Sequence, residues 1–275
     1  MLQPWSFGAP ALSASGVAWD ARPVAVELAD LAAASIAACG PTARRLESVP
    51  VAELRGLLDA SGLRLGHAIL PAAFTLARPE LWEAETARAV ALVDRVAALD
   101  GKLLVITAGP PGPLDFEAAA AAFGRAVAPL RDHAARRGVT VAVEVCNQLR
   151  DDLGFLYTLR DAIDVARDCG IAVCADVLWF HRERDLARTL RDGAADIAVV
   201  QVSDCAVGAT AMPCRLVPGD GAIPLERLLG QLLESGYHGP FDLELLGPEI
   251  DREGPGPALR RGADWLRAAL ERLGA

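Results

Sequence analysis

Four side chains carry the first chemical signal: Glu144, Asp176, Gln201 and Glu244. Each lies at or just after a short apolar run, in the strings AVEV, CADV, VVQVSD and DLELL. A carboxylate within a buried strand is costly unless it is paired or coordinates a metal. Three at equivalent strand ends repel one another badly without a cation between them. Oxygen-rich ligands of this kind suit a divalent ion such as Mg²⁺ or Mn²⁺. For any one of these acids the alternative is an ordinary ion pair, with Arg215 and Lys102 as available counter-ions.

Arg215 opens the segment RLVPGDG, in which Pro218, Gly219 and Gly221 punctuate a tight turn with Asp220 at its centre. From such a loop Arg215 would reach toward the site, where its fixed charge suits a substrate hydroxyl, carboxylate or phosphate. The bland alternative is a surface arginine. His67 and His181 also fall near strand ends, and Trp179 stands three residues past Asp176. These three join Arg215 as candidate substrate contacts, a histidine in the wall being the competing reading. His133, on a helix, and His238, in a turn, read as structural.

The elements that must position these residues follow from periodicity. Lys102 to Ala108 reads as a buried strand, followed by a Gly/Pro turn and Asp115 as N-cap. Phe116, Ala120, Phe123, Val127, Leu130 and Ala134 then mark one helix face, with Pro129 as a candidate kink and Gly138 as the close. The cycle repeats: strand Val139 to Val145, helix Phe155 to Cys169, strand Ile171 to Ala175, helix Asp185 to Asp192, strand Ile197 to Val202. A leucine stripe from Leu225 to Leu233, a strand Phe241 to Leu245 and a helix Ala258 to Leu273 complete it. Upstream, Leu63 to Leu70 reads as a strand and Leu81 to Leu99 as a helix; Ser6 to Leu12 and Ser35 to Cys39 supply two further strands. Apolar strands separated by helices mean a parallel sheet covered by helices. Eight strands close a single (β/α)₈ TIM barrel over residues 1–275. An open doubly wound sheet is the alternative, disfavoured because no Gly-rich dinucleotide or phosphate loop follows any strand.

Composition bounds the partners. Of 275 residues, 52% are hydrophobic and 23% charged, enough for a large core. The net charge of −9 argues against a nucleic-acid grip, which needs a basic face. None of the six cysteines forms a CxxC pair, which fits buried, reduced thiols and a cytoplasmic protein. The sequence shows neither a signal-peptide pattern nor an apolar run near the ~18 residues of a membrane span.

Together these strings resemble the xylose isomerase-like superfamily, in its sugar phosphate isomerase/epimerase branch. That branch includes hydroxypyruvate isomerase, ketose 3-epimerases, inosose dehydratase and, more remotely, endonuclease IV. VAVEVCN, CADVLW, VVQVSDC, RLVPGDG and GYHGPFDLELLGPE carry the likeness, in that order, over Lys102 to Leu273. The resemblance implies a divalent metal held by Glu144, Asp176, Gln201 and Glu244. Gln201 stands where many members have histidine, whereas hydroxypyruvate isomerase-like members carry glutamine. It leaves a harder ligand set that favours Mn²⁺ or Mg²⁺ over Co²⁺ or Zn²⁺. Trp179 stands where many epimerases have a histidine, with His181 two residues on. Endonuclease chemistry would need more histidine and carboxylate ligands than this chain offers.

The implied activity is isomerisation or epimerisation of a sugar, a sugar phosphate or another small hydroxy-carbonyl compound. It would proceed by proton transfer through an enediolate, with Glu144 and Glu244 as the acid/base pair. Arg215, His67, His181 and Trp179 would contact the substrate. The rival readings are a metal-dependent lyase of the inosose dehydratase type and a non-catalytic sugar-binding barrel. The resemblance also implies a homodimer or homotetramer, although no apolar stripe marks an interface.

Overall fold

The computed structural model describes residues 11–16 and 22–275. Its strands are β1 (Leu12–Ser15), β2 (Ala38–Gly40), β3 (Arg64–Leu65), β4 (Ala68–Leu70), β5 (Leu103–Ile106), β6 (Thr140–Glu144), β7 (Ala172–Asp176), β8 (Ile197–Val202) and β9 (Phe241–Glu244). All the strand pairings are parallel. The sheet order β3-β2-β1-β9-β8-β7-β6-β5-β4 starts and ends on two pieces of one stretch of chain. Gly66 and His67 separate β3 from β4, and both of their amides donate to Cys39 O, at 2.9 and 3.4 Å. Two residues sharing one acceptor is a bulge. There the stave changes its partner from β2 to β5. The nine segments are therefore eight staves of a closed barrel, as the sequence predicts.

The helices α1 (Val24–Ala33), α2 (Ala43–Ser48), α3 (Val51–Ser61), α4 (Trp82–Ala98), α5 (Phe116–Arg137), α6 (Leu159–Cys169), α7 (Val177–Phe180), α8 (Leu186–Gly193), α9 (Leu225–Glu234), α10 (Pro248–Glu253) and α11 (Pro255–Arg272) follow the strands. Local chemistry sets their ends. The Asp115 side chain accepts from Ala118 N at 2.8 Å to open α5, and Thr158 accepts from Asp161 N at 3.0 Å to open α6. Gly138 and Gly170, both at φ 67°, close these two helices in the left-handed conformation glycine tolerates. Pro129 does not stop α5, which continues to Arg137.

The core has two parts. A large cluster lies between the outer face of the strands and the helices. A smaller one, Ile69, Leu103, Val105, Ala142, Ala172, Cys174 and Val199, fills the barrel itself. Two residues beyond Ala142, Cys174 and Val199 on their own strands come Glu144, Asp176 and Gln201. Side chains along a strand alternate faces, so these three continue the inward rows toward the mouth.

Some boundaries differ from the sequence reading. Of the strand expected over Ser6 to Leu12, residues 6–10 lie outside the described residues, and β1 begins at Leu12. The second strand starts at Ala38 because Ser35, at φ 54°, is still turning the chain out of α1. The helix expected from Phe155 begins at Leu159. Its first residues belong instead to a loop tied to the strand ends: Gly109 N donates to Leu153 O at 2.7 Å, and Cys146 N to Leu156 O at 2.8 Å. All six cysteines are free thiols; four are buried and Cys205 and Cys214 are half-buried. Among the described residues no helix is long and apolar enough to cross a membrane.

Candidate active site at the barrel mouth

Glu144 ends β6, Asp176 ends β7 and Glu244 ends β9. One potential ligand atom from each lies within 4.8 Å of the others. Glu144 and Glu244 line a cavity of about 390 Å³ at the C-terminal ends of the strands, where barrels of this class place their chemistry. Asp176 lies beneath it, fully buried, and also caps α7 by accepting from Leu178 N at 3.0 Å.

Arg215 binds this acidic group together. Its Nη2 donates to Asp176 Oδ2 at 2.6 Å and its Nη1 to Asp176 Oδ1 at 3.2 Å and Ser203 Oγ at 2.8 Å. Nη2 is also 2.5 Å from Glu244 Oε2, close enough for an ion pair. The two are misaligned for a hydrogen bond, so that oxygen has no hydrogen-bond partner among the described residues. The guanidinium carbon lies 5.4 Å from the centre of the Trp179 ring, a cation–π distance.

The loop carrying Arg215 is pinned by an antiparallel bridge between Asp204 and Leu216 and by the Asp204 carboxylate. That carboxylate accepts from the amides of Cys205, Gly219 and Ile223 at 2.9, 3.0 and 2.9 Å. Gly221 lacks a side chain because a Cβ there would meet Asp204 Oδ1 at 2.3 Å. Asp220 faces outward, where both its oxygens pair with Arg261.

Burial is the main influence on the two glutamates. It pushes the Glu144 carboxyl well above the usual carboxylate range, with the charges of Glu244 and Asp176 adding to it and Arg215 opposing. It pushes Glu244 up to about 8 against the pull of Arg215, with help from Asp176 and Asp242. Burial also works against the charge of Arg215, but the surrounding carboxylates more than offset it and its pKa rises. The site is thus electron-rich, and a positive ion placed in it would be attracted by three acids.

The remaining expected residues divide. Trp179 is at the site, lining the mouth cavity. His181 lines an adjoining cavity of about 160 Å³, its Nδ1 2.9 Å from Leu178 O. His67 is not at the mouth. It occupies the middle of the β3–β4 stave rather than its end, is fully buried, and has Nε2 3.8 Å from Asp242 Oδ2. Gln201 points inward as expected, but its Oε1 accepts from the Cys174 thiol at 3.0 Å and its Nε2 is without a partner among the described residues.

Asp242 went unnoticed in the sequence. Ser13 Oγ donates to its Oδ1 at 2.5 Å, Ser15 Oγ donates to its Oδ2, and the group is fully buried. Its position two residues before Glu244, on the same inward row, was the available signal. Thr42, Thr107, Asn147 and Arg150 line the cavity without having been singled out: Thr107 falls within the strand expected over Lys102 to Ala108, just past the end of β5, and the other three lie between the periodic segments.

The family model described as Xylose isomerase-like TIM barrel matches residues 25–269. The L-ribulose-5-phosphate 3-epimerase UlaE of Salmonella paratyphi A is 27% identical over 154 residues, covering 52% of this chain and 48% of the relative. The chain spans about half the length of the curated relatives it matches. Among solved structures, the IOLI protein with a bound zinc atom superposes with a TM-score of 0.82 at 16% identity, covering 96% of this chain and 99% of that one. D-psicose 3-epimerase from Clostridium cellulolyticum H10, solved with D-tagatose, gives a TM-score of 0.78 at 17% identity, covering 96% and 99%.

Proposed function

The chain belongs to the xylose isomerase-like TIM barrel family, and from that premise we propose a divalent-metal-dependent isomerase or epimerase. Its substrate would be a sugar, a sugar phosphate or another small α-hydroxy carbonyl compound. The observation that carries the proposal is the convergence of Glu144, Asp176 and Glu244, with ligand atoms within 4.8 Å of one another. The epimerase names of two similar proteins and the zinc atom of a third agree with it.

The donor set fits a metal. Three carboxylates gather around one arginine, and Glu244 keeps an oxygen without a hydrogen-bond partner. Gln201 would serve as a neutral fourth ligand once its amide turns over. That rotation exchanges the two terminal atoms, frees the oxygen and turns the unpartnered nitrogen toward Cys174. With this oxygen-rich set, manganese or magnesium is favoured over zinc. A bound divalent ion would supply the positive charge that polarises a carbonyl and steadies the negative charge left when the neighbouring carbon loses a proton.

The chain's own groups do the rest. Glu144 or Glu244 takes the proton from carbon, leaving an enediolate in the substrate. The other glutamate, entering the step protonated, delivers its own proton to the opposite face in an epimerase, or to the adjacent carbon in an isomerase while a hydroxyl proton passes between the two substrate oxygens. Burial raises the proton affinity of both carboxyls, and a bound cation would lower it again toward the range of a base that works near neutral pH. Arg215 holds Asp176 and Glu244 in register and presents fixed charge to a substrate oxygen, while Trp179 braces the guanidinium from the cavity side.

The test is incorporation of solvent deuterium at carbon, followed by NMR across a panel of ketoses with Mn²⁺ or Mg²⁺ present. Glu144→Gln and Glu244→Gln should each slow exchange by about 10² to 10⁴, the usual range for loss of a general acid or base. Wild-type rates in both variants would sink the proposal.

A further inference from the structure

Resting on the reaction proposed above, we infer that the substrate's far end, away from the α-hydroxy carbonyl, is apolar: a methyl or a short alkyl chain rather than a phosphate or a run of hydroxyls. The walls of the mouth cavity carry this inference. The apolar side chains facing the chamber of about 390 Å³ include Pro71, Leu153, Trp179, Met212, Pro213 and Leu246.

The acceptor oxygens of the polar side chains in the same lining are already engaged in local structure. Thr107 Oγ1 accepts from Ala72 N at 2.6 Å, and Asn147 Oδ1 accepts from Leu149 N at 2.7 Å. Thr42 Oγ1 caps α2 by accepting from Arg45 N at 3.2 Å. The proton of a substrate hydroxyl moved from water to these walls would find those acceptors already taken, whereas a methylene would gain from leaving water.

Charge points the same way. Arg150 is held on Asp152 through Nε at 2.8 Å and Nη2 at 2.9 Å. Arg215 is turned onto Asp176 and Ser203. Among the described residues lining the chamber, no cation is left without a carboxylate partner. Residues 1–10 and 17–21 contain no Lys, Arg or His. Arg182, beside His181 in the adjoining cavity, is the alternative seat for an anion, so the test includes it.

Achiral hydroxyketones remove stereochemistry from the question. Affinities of the Mn²⁺-loaded protein would be measured by tryptophan fluorescence for 1-hydroxypropan-2-one, 1-hydroxybutan-2-one, 1-hydroxypentan-2-one, dihydroxyacetone and dihydroxyacetone phosphate. Each added methylene should tighten binding by about three- to fourfold, and the phosphate should bind more weakly than dihydroxyacetone. Leu153→Asn, or Met212→Gln if the first variant folds poorly, should flatten the series. A flat series in the wild type overturns the inference. So does a phosphate that binds at least tenfold tighter than dihydroxyacetone, with Arg182→Ala telling whether the adjoining cavity or the chamber itself holds it. Deuterium exchange on the same samples tests the reaction separately. A methylene series without exchange upholds the apolar chamber and counts against the reaction, whereas exchange with flat affinities does the reverse.

Discussion

Glu144 and Glu244 sit where burial and like charge favour the protonated carboxyl, whereas a metal ion needs the charged form. Cation binding and proton release are therefore linked. Without a cation, burial pushes Glu244 up to about 8 and holds Glu144 well above the ordinary range, so at neutral pH protons must leave before an ion is held. Apparent Mn²⁺ affinity should rise as pH is raised toward 8 and fall as it is lowered. Calorimetric titration at pH 7 in two buffers of different ionisation enthalpy should show net proton release; equal heats in both would contradict it. His67 makes a separate prediction about stability. Burial lowers its pKa, with Asp242 only partly opposing. The unfolded chain therefore binds a proton below about 6.5 that the folded chain refuses, and stability is lost as pH falls. One such proton contributes a slope of about 1.4 kcal/mol per pH unit, and denaturant titrations of His67→Asn should show the slope reduced by that amount.

The elements explain why the mouth has its shape. Closing the barrel at the Gly66–His67 bulge carries His67 into the interior, while the loop over residues 147–158 comes down onto the strand ends through Gly109 and Cys146. Gly109 is at φ 98°, and a Cβ there would fall 1.7 Å from Phe74 O, an overlap with backbone that no side-chain shift relieves. Gly109→Ala should cost about 3 kcal/mol or more, from backbone strain and displacement of the loop. A thermal melt within 1 °C of wild type would show that the loop absorbs the change. The main strands and helices were legible because their apolar periods are strong. The connecting loops were not, since their conformation depends on amides and carbonyls that find partners far along the chain.

At the scale of the molecule, the eight staves separate reactive groups from bulk solvent to different degrees. Burial pushes the Cys39 thiol up to about 12 and holds Cys146 and Cys174 well above the usual thiol range, whereas Cys205 and Cys214 are half-buried near the mouth. A thiol that keeps its proton and lacks access does not react. A disulfide reagent should therefore modify Cys205 and Cys214 in the native protein and all six cysteines only after unfolding. Rapid native modification of four or more would mean that the barrel opens far more readily than its packing implies.

Sequence by itself determined the barrel and the acidic residues at its mouth. Alternating apolar runs and helical stripes leave few ways to bury a parallel sheet, and a carboxylate ending a buried strand has few uses. Partnership was decided by closure. Ser13 and Asp242, 229 residues apart, meet because the first and last strands of the chain pair side by side. Whether Gln201 turns to Cys174, whether His67 reaches the mouth, and which acids Arg215 grips all depend on register and strand phase. Those are set by packing across the whole barrel, and no local window of sequence contains them.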